Sequence, residues 1–62
     1  MDARLKARIQ TIAEMKLLEL DIGEYLDEVL LDYGFRKTQM AVAEAGLSEL
    51  LTEDLEKAGQ KN

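Results

Sequence analysis

The stretch Gly23-Glu24-Tyr25-Leu26-Asp27-Glu28-Val29-Leu30-Leu31-Asp32-Tyr33-Gly34-Phe35 decides how this chain folds. Leu26, Val29, Leu30 and Tyr33 recur at three- and four-residue intervals, the spacing that puts side chains on one side of an α-helix. Asp27, Glu28 and Asp32 lie between them, with Leu31. Gly34 follows the last apolar position, and glycine accepts the left-handed backbone that closes many helices. The reading is therefore a helix from about Gly23 to Tyr33 that ends at Gly34, with Phe35 folding back onto its last turn.

Upstream, Leu5, Ile9, Ile12, Ala13, Leu17 and Leu20 continue the helical pattern, and Asp2 can cap the first free N–H groups. Met15, Leu18 and Ile22 fall on another side. From Met15 onward helix one is thus apolar on two faces, which predicts a position between neighbours. The run Leu18-Glu19-Leu20-Asp21-Ile22 alternates as a strand would, but nothing nearby offers it a second strand. It reads as the end of helix one, with a turn near Asp21 to Gly23.

Downstream, Arg36 and Lys37 read as a link and Thr38 as the cap of helix three. Met40, Ala43, Leu47, Leu50, Leu51, Leu55 and Ala58 then share one face. Gly46 interrupts that face. It is either a tolerated glycine, costing about 1 kcal/mol against alanine, or the end of one short helix with Ser48 capping another. The expected architecture is all-α: three helices, or four short ones if Gly46 breaks the last. Residues 1–58 form a single helical domain and residues 59–62 a frayed tail.

Composition agrees with that class. The chain has 62 residues, 47% of them hydrophobic but only 5% aromatic, so its core is aliphatic. Cysteine, histidine and proline are absent. Disulfides, zinc-finger ligation and thiol chemistry are thereby excluded, as are nucleophile pairs that need a histidine base. The four glycines are isolated and form no phosphate-cradling loop. A chain this small encloses no pocket able to drive two carboxylate pKa values apart, so no enzyme is expected. No cofactor, metal or small-molecule substrate is expected either. Glu24, Asp27, Glu28 and Asp32 cluster on helix two but lack calcium-loop spacing, and read as a solvated face.

The net charge of −5 disfavours a general attraction to nucleic acid or to anionic membranes. No apolar run approaches a membrane span, and the N-terminal segment is charged throughout, so a cytoplasmic protein is the expectation. Arg4, Lys6, Arg8 and Lys16 make helix one basic, while helices two and three are acidic. Basic and acidic helices side by side would satisfy each other, within one chain or across a dimer.

Two local resemblances extend the reading. The segment Thr38-Gln39-Met40-Ala41-Val42-Ala43-Glu44-Ala45-Gly46-Leu47-Ser48 resembles the first helix and turn of a helix-turn-helix, with Gly46, Leu47 and Ser48 in the family's order. That likeness implies a DNA-binding transcriptional regulator. The would-be recognition helix, from Ser48 to Glu56, carries mostly carboxylates where base readers need Arg, Lys, Asn or Gln. Phosphate contacts would then fall to Arg4, Lys6, Arg8, Arg36 and Lys37. Leu47-Ser48-Glu49-Leu50-Leu51 is similar to the Leu-x-x-Leu-Leu helices that dock in apolar grooves, a spacing that core packing also produces.

Three short helices hide this much apolar surface with difficulty, and a symmetric dimer is the commonest remedy. The expectation is a small, non-catalytic interaction protein, regulatory or adaptor-like, packed as a homodimeric bundle or bound to another protein. Leu5, Ile9, Ile12, Leu26, Val29, Leu30, Leu47, Leu51 and Leu55 would form the shared core. DNA binding through the five basic residues is the alternative.

Overall fold

The computed structural model describes residues 2–60, and the Met1, Lys61 and Asn62 positions lie outside them. The described chain is all-helical: α1 (Ala3–Leu17), α2 (Gly23–Tyr33), α3 (Phe35–Glu44) and α4 (Ser48–Gln60). Of the two expected counts, three helices or four, the structure has four, because the stretch after Gly34 divides in two at Gly46.

The N-terminus of α1 is set as expected. The Asp2 carboxylate accepts from the Arg4 N–H at 2.9 Å and the Leu5 N–H at 3.3 Å. Its C-terminus comes earlier than the apolar stripe suggested. Glu19 adopts a left-handed conformation, φ 62°. The Leu20 N–H reaches back to the Met15 carbonyl and the Glu19 N–H to that of Lys16, at 3.0 and 2.9 Å. This paired closure normally uses glycine at the left-handed position. The helix therefore stops before Leu20 can join its inner stripe. Leu17 and Leu20 face solvent instead, and Ile22 brings the chain back into the core.

The same closure ends α3 with the usual residue. Gly46 has φ 73°, its N–H bonds the Ala43 carbonyl, and the Leu47 N–H bonds that of Val42. The direction change at Gly46 frees α3 from the face of α4. Thr38, Ala41 and Val42 point inward, while Met40 and Ala43, expected inside, are exposed.

Between α2 and α3 there is no link at all. Gly34 is the C-cap of one helix and the N-cap of the next, at φ 86° and ψ 159°. That region of backbone space is open essentially to glycine alone. Arg36 and Lys37 consequently lie in the first turn of α3 rather than in a connection. Thr38 is not a cap but a fully buried residue whose hydroxyl donates to the Gly34 carbonyl at 2.8 Å.

One core joins the four helices. α1 packs on α2 and α3, and α4 packs on the same two. Leu5, Ile9, Ile12 and Ala13 meet Ile22, Leu26, Val29 and Leu30, with Ala41, Val42, Leu51, Leu55 and Ala58 closing the other side. The radius of gyration is 10.2 Å, matching the value of about 10.6 Å for a compact globule of this length. Gly59 and Gln60, expected in the frayed tail, belong to α4; Lys61 and Asn62 lie outside the described residues. Gly59 is held against the Phe35 ring, whose edge atoms would lie 2.9 Å from any Cβ added there.

Candidate functional site

The residues expected to form a shared core sit inside a single copy. Leu5, Ile9, Ile12, Leu26, Val29, Leu30, Leu51 and Leu55 are buried, and Leu47 is half-buried against them. Splitting the last helix into α3 and α4 gives the stripes enough neighbours within one chain. The Leu-x-x-Leu-Leu segment is spent in the same way: Leu51 is fully buried, and Leu47 and Leu50 pack on the core.

A different apolar set is left for a partner. Leu17, Leu18 and Leu20 surround the closure of α1, and the first two are 69% and 72% exposed. Tyr25, Leu31, Phe35 and Met40 are the other large exposed apolar residues among those described. Helical periodicity identifies which residues share a face, but not whether that face is covered. The sequence signal for the α1 patch is the apolar second side of helix one at Leu18, which the pattern places between neighbours and the structure leaves exposed.

Along α1 the solvent face holds Ala3 and Ala7 in its first half, Gln10, Thr11 and Glu14 in the middle, and Leu17 and Leu18 at its end, all exposed. The face bears two charges, Arg4 in its first half and Glu14 in its second, in a chain of which 34% is charged. Tyr25 of α2 flanks it, sharing a shallow groove with Ala7, Thr11 and Met15.

The charges are partly settled within the chain. Arg8 donates to the Asp32 carboxylate at 2.7 Å, lies 3.8 Å from that of Glu28, and sits over the Tyr33 ring at 5.9 Å. The hydrogen bond to Asp32 holds the Arg8 pKa above its ordinary value, against the opposing effect of burial. A raised pKa on a cation means its stabilisation is complete below the ordinary arginine value and is lost as pH rises through the raised one, so deprotonation of Arg8 does not weaken the pairing in ordinary buffers. Lys16 joins α1 to α4: its ammonium donates to the Leu50 carbonyl at 2.6 Å and to the Asp54 carboxylate. The basic helix thus lies beside acidic ones inside one copy.

Of the five candidate phosphate contacts, Arg8 is engaged in this way. Arg4, Arg36 and Lys37 are exposed and Lys6 is half-exposed. Among the described residues none of these four forms an ion pair. Lys37 lines a groove with Asp2, Leu5, Met40 and Glu44 at the N-terminal end of α1. The structure does not gather the five into one patch with α4, whose solvent side carries Glu49, Glu53 and Glu56.

No group of three or more Asp or Glu residues among those described is placed to hold a metal ion. No described helix is long and apolar enough to cross a membrane. Comparison with protein-family models, with curated proteins and with solved structures returns no match. Function is therefore argued from the chain's own surface.

Proposed function

We propose that this chain is a small non-catalytic helical interaction protein of the cytoplasm, regulatory or adaptor-like, that associates with itself through an apolar helix surface. The observation that carries the reading is the division of its leucines. A complete core forms without Leu17, Leu18, Leu20 and Leu31, and these four remain exposed. Large apolar side chains clustered at one end of a helix, as Leu17, Leu18 and Leu20 are, gain by leaving water when a partner covers them. The acidic outer sides of α2 and α4 add a second surface, suited to steering a basic partner.

Sedimentation equilibrium between 1 and 500 µM (roughly the range in which weak dimers form and dissociate) tests self-association. A mass that rises with concentration supports it. A monomer throughout refutes it.

A second reading, DNA binding, draws on the four basic residues free of ion pairs and on the glycine turn between α3 and α4. The carboxylates of α4 oppose it. A low-salt gel shift decides: retardation that weakens steeply with salt supports it, and none removes it.

A further inference from the structure

We propose that the solvent face of α1 is the docking surface for a second copy of this chain, with the two α1 helices antiparallel about a two-fold axis near Gln10 and Thr11. This rests on the self-association proposed above and specifies its surface and direction.

The core covers α1 on one side only, through Leu5, Ile9, Ile12 and Ala13. On the opposite side Ala3, Ala7, Gln10, Glu14 and Leu17 follow alternating steps of four and three residues. That is the spacing of a helix–helix seam. Leu18 stands beside Leu17, and both are largely exposed.

Two asymmetries along this face agree on the direction. The first is charge. Its N-terminal half carries Arg4, with Lys6 on one flank, and its C-terminal half carries Glu14; none of the three is in an ion pair among the described residues. An antiparallel pair sets the acidic half of each copy on the basic half of the other, whereas a parallel pair sets like on like. This complementarity of the face with itself makes a second copy the occupant. The second asymmetry is size. An antiparallel arrangement about this axis sets Leu18 opposite Ala3 and Leu17 opposite Arg4, whose aliphatic stem it can cover, with Glu14 opposite Ala7. A parallel one would press leucine on leucine and leave alanine facing alanine across a gap, forfeiting contact. Tyr25 extends the apolar surface on one flank.

The chain has no cysteine, so single introduced thiols report the geometry. Under mild oxidation Gln10→Cys, close to the axis, should form a disulfide-linked dimer. Leu18→Cys should not link to itself, because the two copies of that position lie about 22 Å apart along the paired helices, beyond disulfide reach. Mixing Leu18→Cys with Ala3→Cys should restore linkage. Separately, the double variant Leu17→Glu and Leu18→Glu should raise the dimer dissociation constant about 100-fold or more, since each change acts twice in a symmetric contact. Both sites are exposed in one copy, so its helical circular-dichroism spectrum should be retained.

Ready self-linkage of Leu18→Cys would overturn the antiparallel direction. A wild-type dimer in which neither Gln10→Cys links nor the double variant dissociates would overturn the surface while leaving self-association standing. A wild-type monomer at 500 µM (about the weakest association sought) would remove both.

Discussion

Replacing Gly34 by L-alanine and by D-alanine isolates a single energetic quantity, the backbone strain at the junction of α2 and α3. An L-configured Cβ on Gly34 would have nothing within 4 Å, so the L-substitution adds neither a clash nor a new contact. The backbone stands at φ 86° and ψ 159°, where an L-residue is strained by about 1–3 kcal/mol. Losing a glycine also restricts the unfolded chain, which returns about 0.4–1 kcal/mol. L-alanine should therefore destabilise by a net of about 1–2 kcal/mol. A domain of this length holds in total about 3–9 kcal/mol. At about 4–8 °C per kcal/mol, the L-variant should melt about 5–15 °C lower.

D-alanine has the mirror-image preferences, and Gly34 occupies the mirror of the edge of the extended region. It retains the unfolded-state benefit without the strain and should melt about 2–8 °C higher than the parent. A chain of 62 residues is within reach of chemical synthesis. The assay is thermal and urea unfolding followed by circular dichroism at low concentration, to separate folding from association. An L-variant with an unchanged melting temperature would refute the reasoning, as would a D-variant that melts lower than the parent.

Three further outcomes are expected. Glu19→Gly should raise stability by about 0.5–1 kcal/mol by relieving a left-handed non-glycine residue, and Gly46→Ala should lower it by about 1 kcal/mol at the matching position of α3; urea midpoints check both, and a destabilised Glu19→Gly contradicts the account. Leu30→Asp places a charge within the core and should unfold the chain, because such burial costs several kcal/mol against a total of about 3–9; an unchanged melting temperature and mass would show that the core is misassigned. Lys16→Met should cost about 1 kcal/mol or more, since Lys16 is half-buried with two acceptors, while Arg8→Ala, an exposed pair, should cost less than about 1 kcal/mol; the reverse order in matched melts would contradict the pairings.

The helical class and the extent of α2 were legible because Gly23 and Gly34 bracket one unbroken three-four pattern. The inner residues of α1 were legible for the same reason, from Leu5 to Ala13. What escaped were events decided by one backbone angle. Glu19 gives no local hint of a left-handed conformation, so α1 seemed to run on to Leu20. Gly46 was consistent with either a continuous helix or a break, since a glycine inside a helix costs only about 1 kcal/mol. That break is what carries Met40 outward and Thr38 inward. Gly34 was rightly read as an ending, yet its second role as the start of α3 has no pattern of its own. For the candidate site, opposite charges on α1 and its neighbours signalled pairing, but the choice of Asp32 for Arg8 and Asp54 for Lys16 depends on packing. The exposed leucines escaped because all the chain's leucines look alike until it is known how many neighbours each helix has.

The closure at Glu19 also bears on the thermodynamics of association. Backbone hydrogen bonds from Leu18, Glu19 and Leu20 fix this segment against α1, so these side chains project from a rigid turn rather than a wandering loop. A flexible loop would lose its freedom on contact and weaken the complex accordingly. Here the backbone ordering is completed during folding, and the strain at Glu19 is its counterpart in the isolated molecule. Relieving that strain with glycine would loosen the unbound turn, so a variant that folds more stably would be expected to associate less tightly.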